Sequence, residues 1–124
     1  MNDAASALVI DLAREFIAFL NSHSPPGWIK GYYRFRAEEG RHGANASYTT
    51  ASDVLLIGAV RASALYTTMN EMAAALLRAL ERETGVFLLT VDAGAQYDIQ
   101  FDWDDLDRWR ITKLDGGTGL PVGA

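Results

Sequence analysis

The residues of this chain best suited to chemistry are aspartates clustered towards its C-terminal end. Six of them fall between Asp92 and Asp107, in a stretch without lysine or arginine. Clustered carboxylates can hold a hard cation such as Ca²⁺ or Mg²⁺, or attract a basic partner through long-range electrostatics. The run from Asp102 lacks the glycine and glutamate of an EF-hand loop, and Asp102 and Asp104 on a strand lie about 6.5 Å apart. We therefore expect no metal site and favour a protein-binding surface, with a merely solvated strand face as the alternative.

Other catalytic chemistry has little support in the sequence. The chain contains no cysteine and only two histidines, His23 and His42, which are too few of the ligands that zinc prefers. No serine stands in a G-x-S-x-G motif, and both histidines are interpreted as exposed loop residues. The pattern also shows no cleft for the paired carboxylates of a glycoside hydrolase. We therefore expect no enzymatic activity and no cofactor.

The glycines near the C-terminus do not form a phosphate-binding loop. Residues 115–119 read Asp-Gly-Gly-Thr-Gly, without the spacing of a dinucleotide-binding or P-loop motif and with no basic residue after them. We expect residues 115–124 to be a flexible tail.

Composition and charge narrow the class of protein. The chain has 124 residues, 49% of them hydrophobic and 22% charged, which is typical of one globular domain spanning residues 1–124. The net charge of −5 disfavours direct nucleic-acid binding, which needs basic residues to neutralise phosphates. No apolar run approaches the roughly 18 residues of a membrane span, and the start of the chain lacks the pattern of a secretory signal. We expect a cytoplasmic protein without a membrane partner.

Hydrophobic periodicity predicts two helices and five strands. The first helix is predicted over Asp3–Leu20. A capping box at Thr68–Glu71 indicates the start of the second helix, and Gly85 its C-cap. The strands are predicted over 28–37, 46–50, 54–60, 86–91 and 97–104.

This order predicts an α+β fold: an antiparallel sheet of about five strands, with two helices packed on one face and an irregular tail. The other face would carry a basic row, Lys30, Tyr32, Arg34 and Arg36, on one strand and aspartates on another. The two rows could complement each other if their strands pair. Trp103 continues an apolar strand face and is assigned to the core. Trp109 could be an interface anchor or could pack the tail onto the sheet.

The arrangement also resembles a known family. A helix leads to Gly27-Trp28 and the aromatic strand Tyr32–Phe35. A second helix then precedes a hairpin made of Phe87–Val91 and Tyr97–Phe101, followed by the acidic step Asp102–Asp105. Over most of residues 5–106 this is similar to the YezG-like immunity proteins of bacterial polymorphic toxin systems. The resemblance implies a protein that binds a cognate toxin domain in the cytoplasm and blocks it, the toxin commonly being a nucleic-acid-targeting enzyme with a basic cleft.

We therefore expect a toxin-binding surface that occludes the basic active site of that partner. Its predicted members are Asp98, Asp102, Asp104, Asp105, Asp107 and Trp109. A monomer is favoured over a dimer. The main alternative is an acidic type III secretion chaperone, which resembles the chain in size, acidity and element order and acts as a dimer, but has a further helix after the last strand. A metal-binding or carboxylate-based enzyme is the remaining alternative.

Overall fold

The computed structural model of the protein describes all 124 residues and contains two helices and five strands. In chain order these are α1 (Asp3–His23), β1 (Lys30–Glu38), β2 (Arg41–Thr49), β3 (Val54–Leu56), α2 (Ser63–Ala79), β4 (Gly85–Asp92) and β5 (Tyr97–Asp102). The strands form one antiparallel sheet in the order β3-β2-β1-β4-β5. This confirms the predicted α+β class. Neither helix combines the length and the apolar composition that a membrane crossing requires.

Both helices pack on the same face of the sheet, which we call the inner face, and the main core lies between these two layers. The buried residues of α1 recur at three- and four-residue spacing and include Leu12, Phe16 and Leu20. They pack with Tyr33 and Phe87, which alternation along β1 and β4 directs towards the helices. The 3.6-residue and two-residue periods of the sequence thus produce one continuous core.

Gly31 on β1 lets α1 approach the sheet closely. A Cβ atom at this position would lie 2.5 Å from Leu20 Cδ1, 3.0 Å from Phe16 Cε2 and 3.2 Å from Val91 Cγ2. A side chain here would therefore push the helix away from the strand.

The boundaries of α2 differ from those predicted. The helix begins at Ser63, and Thr68 lies inside it, so the Thr68–Glu71 pattern is not a capping box. Gly85 is the first residue of β4 rather than a helix cap. It leaves room for Trp103, whose Cε3 would be 2.5 Å from a Cβ at position 85, and Trp103 packs against the core as predicted.

The β1–β2 hairpin is longer than predicted and β3 is shorter. Glu38 pairs with Arg41 across a two-residue turn, in which Glu39 and Gly40 have φ values of 44° and 78°. Positive φ at both central residues suits the twist of a hairpin, so most of the polar residues 38–45, which lie outside the predicted strands, continue the ladder. The apolar run predicted as the third strand leaves the sheet after Leu56, and Val60 is 93% exposed.

We expect Gly31→Ala to lower the free energy of unfolding by about 1–3 kcal/mol, because the added methyl overpacks the contact between α1 and β1. The measurement is urea denaturation followed by circular dichroism. Gly43→Ala is the matched control on the neighbouring strand, since a Cβ there meets nothing within 4 Å. Equal losses in the two variants would contradict the close approach at Gly31.

Candidate functional site

The chain after β5, residues 103–124, crosses the face of the sheet opposite the helices. We call these residues the C-terminal segment and this face the outer face. Trp109 is 1% exposed and packs against Val86 and Leu88 of β4, with Tyr32 of β1 beside them. Further along, a Cβ at Gly119 would lie 3.0 Å from Val54 Cγ1. The segment therefore reaches from β5 across to β3.

The glycine-rich end of this segment is held by backbone hydrogen bonds. The Gly119 N–H donates to the Thr112 carbonyl at 3.0 Å, and the Val122 N–H donates to the Arg110 carbonyl at 3.1 Å. Pro121 is buried. The flexibility expected for residues 115–124 stays a prediction, but these residues have defined contacts with the rest of the fold.

Arg34 fixes the first half of the C-terminal segment. Its Nε donates to the Arg108 carbonyl at 2.7 Å and its Nη2 donates to the Leu106 carbonyl at 2.6 Å. The residue is only 7% exposed and forms no ion pair with a carboxylate. Burial lowers the pKa of the Arg34 guanidinium, and the positive charge of Arg36 lowers it further. The predicted basic row of β1 does lie on the outer face, but its member Arg34 is covered by the C-terminal segment.

The two predicted rows of opposite charge do not face each other. Strand β4 lies between β1, which carries the basic row, and β5, which carries Asp98 and Asp102. The β4 residues exposed on this face would be Val86 and Leu88, and Trp109 covers both. The condition for complementary rows is therefore not met, because β4, with Val86 and Leu88 on this face, separates the two strands.

The aspartates from the end of β5 onwards hold the turn, face solvent, or, in the case of Asp105, do both. Asp102 Oδ1 accepts hydrogen bonds from the N–H groups of Asp104 and Asp105, both at 2.9 Å, and Oδ2 accepts one from Arg108 Nη1 at 3.1 Å. These backbone hydrogen bonds, together with Arg108, lower the pKa of the Asp102 carboxyl below its usual value of 3.8. Asp105 Oδ1 accepts a hydrogen bond from the Asp107 N–H at 3.1 Å, so the side chains of both Asp102 and Asp105 stabilise the turn.

Four of the predicted contact residues present exposed carboxylates: Asp98, Asp104, Asp105 and Asp107. We call these four the acidic surface. Asp98 and Asp102 share one face of β5 and are separated by about 13 Å of strand, and the turn that carries the other three follows directly. The predicted aspartates thus form a band that starts on the edge strand β5 and continues onto the turn, where Asp105 and Asp107 come near enough to Arg34 on β1 for their charges to counteract part of the lowering of its pKa by burial. Asp102 belongs to the support of this band rather than to its exposed part.

Trp109 lies apart from this band. Its ring is buried on the outer face, and the Arg108 guanidinium stacks over it at 4.5 Å from the ring centroid. Of the two interpretations of this residue, packing onto the sheet describes its position. An interface anchor would have to be exposed, so we leave Trp109 out of the proposed contact.

Groups suited to metal or nucleophilic chemistry do not converge. No three histidine, aspartate or glutamate side chains are placed to hold a metal ion. His23 ends α1 and stacks on Phe19 with ring centroids 4.7 Å apart. His42 lies on β2 beside Phe35 rather than in a loop. Both histidines are exposed, as predicted.

Sequence reasoning missed the place of Arg41 in the basic row. The two-residue turn puts Arg41 opposite Glu38, on the same face as Arg34 and Arg36. The Glu-Gly pair at 39–40 is the signal that could have revealed this, because a glycine in a two-residue connection is typical of a tight hairpin.

Compared with known proteins, the chain matches no family model, and no curated protein matches it significantly in sequence.

We expect Arg34→Lys to lower the free energy of unfolding by about 2 kcal/mol, because one ammonium group cannot reproduce the two donors that the guanidinium aims at separate carbonyls. Urea denaturation measures this loss, and hydrogen exchange should become faster in residues 106–110. Arg36→Lys is the control, since 41% of the Arg36 side chain is exposed. The same loss in both variants would argue against a specific role for Arg34.

Replacing Asp102 by asparagine should lower the melting temperature at pH 7 and should matter less in acid. Asparagine keeps an oxygen for the backbone N–H groups but removes the charge. Because the pKa of Asp102 is lowered in the folded protein, its charge stabilises the fold above about pH 4, and this stabilisation is lost as the pH falls through the folded pKa. Melting curves of the wild type and Asp102→Asn should therefore converge in acid. Asp98→Asn is the control, and a difference that is constant with pH would contradict the assignment.

Proposed function

We propose that this protein is an immunity protein that binds a cognate secreted bacterial toxin domain and neutralises it. The acidic surface would cover the basic active-site surface of the toxin. The observation that carries the proposal is the set of exposed carboxylates at Asp98 on β5 and at Asp104, Asp105 and Asp107, the last three on a turn that Asp102 holds in place. The YezG-like resemblance in sequence supports the same role.

Carboxylates on a fixed turn suit the inhibition of an enzyme that acts on nucleic acid. Such an enzyme binds phosphates through lysine and arginine side chains, and a row of carboxylates can occupy those side chains in place of phosphates. Arg108 pairs with Asp102, but none of the four carboxylates of the acidic surface forms an ion pair. Electrostatic complementarity of this kind raises association rates, towards 10⁸ M⁻¹s⁻¹ at low salt in the most favourable cases. We therefore propose a nucleic-acid-targeting toxin as the partner.

Preorganisation of the turn supports tight binding. The hydrogen bonds that Asp102 and Asp105 accept from backbone N–H groups fix the chain before any partner arrives. Little conformational entropy is then lost on association.

The proposal includes action in the cytoplasm. It also includes action as a monomer, since one copy of the chain carries the whole acidic surface. The secretion-chaperone alternative has a further helix after the last strand. Here the residues after β5 contain only a short 3-10 turn at Leu114–Gly116, so no observation favours that alternative. For the metal-binding alternative, no three histidine, aspartate or glutamate side chains are placed to hold an ion.

The test begins with the neighbouring reading frame. If it encodes a secreted protein, its C-terminal domain should stop growth when expressed alone in bacteria, and co-expression of the present protein should restore growth. Failure of rescue by the wild type would contradict the immunity role itself.

Charge reversal should then locate the contact. The double variant Asp104→Lys/Asp107→Lys should slow association with that toxin domain by about tenfold or more at low salt and should flatten the salt dependence of the rate. Stopped-flow or surface plasmon resonance measures the rate. The control is Asp11→Lys, on the exposed side of α1 in the helix layer. Asp102 is left unchanged because it supports the turn. An unchanged rate in the double variant would place the contact elsewhere.

A further inference from the structure

A basic depression of about 440 Å³ lies on the outer face near the β1–β2 turn, lined in part by Arg34, Arg36 and Arg41. Glu38, Gly43 and Asn45 also line it. These residues belong to two paired strands, and their register places Glu38 opposite Arg41, Arg36 opposite Gly43 and Arg34 opposite Asn45. The depression is thus built on the most regular part of the sheet, which makes its geometry rigid.

Gly43 keeps the depression open. It is the β2 residue opposite Arg36, and a Cβ at this position would meet nothing within 4 Å. The neighbouring outward positions on β1 carry long arginine side chains, so the missing side chain leaves a space between guanidinium groups. A glycine in the middle of a strand weakens the strand and often marks a place where a ligand or another chain approaches closely.

The positive charge around this space is only partly neutralised. The single ion pair is between Arg36 Nη2 and Glu38 Oε2, at 2.9 Å. Arg34 donates to two backbone carbonyls, and neither Arg34 nor Arg41 forms an ion pair. Arg36 Nε is buried and has no hydrogen-bond partner. The side chains that line the depression include three guanidinium groups and one carboxylate, an excess of about +2 at neutral pH, and Asp105 and Asp107 offset part of the Arg34 charge.

We propose that this depression binds a phosphate group through Arg36 and Arg41, with the buried charge of Arg34 behind them. A phosphate dianion matches the local excess charge. It also carries three or four acceptor oxygens, enough for donors on two strands, whereas one bidentate guanidinium already satisfies a carboxylate. The phosphate could be free or part of a small phosphomonoester, and the inference does not depend on the proposed function.

The test is titration of the full-length protein with inorganic phosphate, adenosine monophosphate and acetate, followed by calorimetry and by the amide NMR shifts of Gly43 and Asn45. We expect saturable binding of phosphate and much weaker binding of acetate. Tighter binding of adenosine monophosphate than of inorganic phosphate would assign the site to a phosphomonoester, and equal binding would assign it to the phosphate group alone. Acetate binding as strong as phosphate binding would overturn the proposal.

Two variants probe the charge of the site. Arg36→Gln should weaken phosphate binding about tenfold or more, because it removes a charge-assisted donor. Arg61→Gln is the control with the same change of charge, and Arg61 is exposed near α1 and α2 on the opposite side of the sheet. Glu38→Gln should strengthen binding several-fold, because it releases Arg36 from its ion pair and removes a negative charge. Equal effects of Arg36→Gln and Arg61→Gln would show general electrostatic attraction and overturn the site.

Gly43→Val tests the space rather than the charge. Valine favours strands and has room at this position, so the fold should be kept while its side chain fills the depression between the arginines. Phosphate binding should be lost in this variant with every guanidinium still present. Wild-type affinity in a folded Gly43→Val protein would overturn the proposal.

Discussion

The outer half of this molecule depends on the contact of one buried guanidinium with two peptide carbonyls. Arg34 reaches the carbonyl oxygens of Leu106 and Arg108 and so fixes the path of the chain immediately before Trp109. Trp109 can then cover Val86 and Leu88, which would otherwise be exposed on β4. A charge buried without a carboxylate partner is costly unless its donors are satisfied. Here backbone oxygens satisfy two of them, and this ties the C-terminal segment to the sheet.

The position of the acidic surface follows from this contact together with the support of Asp102. Arg34 on the central strand β1 binds the carbonyls of Leu106 and Arg108. At the end of β5, Asp102 accepts two backbone hydrogen bonds and one from the Arg108 side chain. Asp104 and Asp107 lie in the stretch between Asp102 and Arg108, and their side chains are exposed to solvent. Within residues 102–107, aspartate side chains therefore both support the turn and supply exposed negative charge. Removing the Asp102 carboxylate would disturb the turn itself, whereas the Asp104 carboxylate makes no contact that holds it.

The regular part of the fold could be predicted from the sequence because its signals are local. The spacing of apolar residues in α1 and the alternation in β1 and β5 gave the α+β class and the face that the helices cover. The start of α2 was missed because a Thr-x-x-Glu spacing also occurs inside a helix, where its side chains cap nothing. The course of the C-terminal segment has no periodic signal. It is set by the tertiary contacts of Arg34 and Trp109, so the burial of Trp109 and the separation of the charged rows could be known only from the structure.

Strand β5 forms one edge of the sheet, and no strand pairs with it on the side away from β4. An open edge with free N–H and C=O groups can recruit another copy of the chain and start aggregation. Asp98 and Asp102 stand on this strand, where a second copy aligned edge to edge would bring more carboxylates close to them. Repulsion between these carboxylates would oppose the pairing of this edge with the same edge of a second copy.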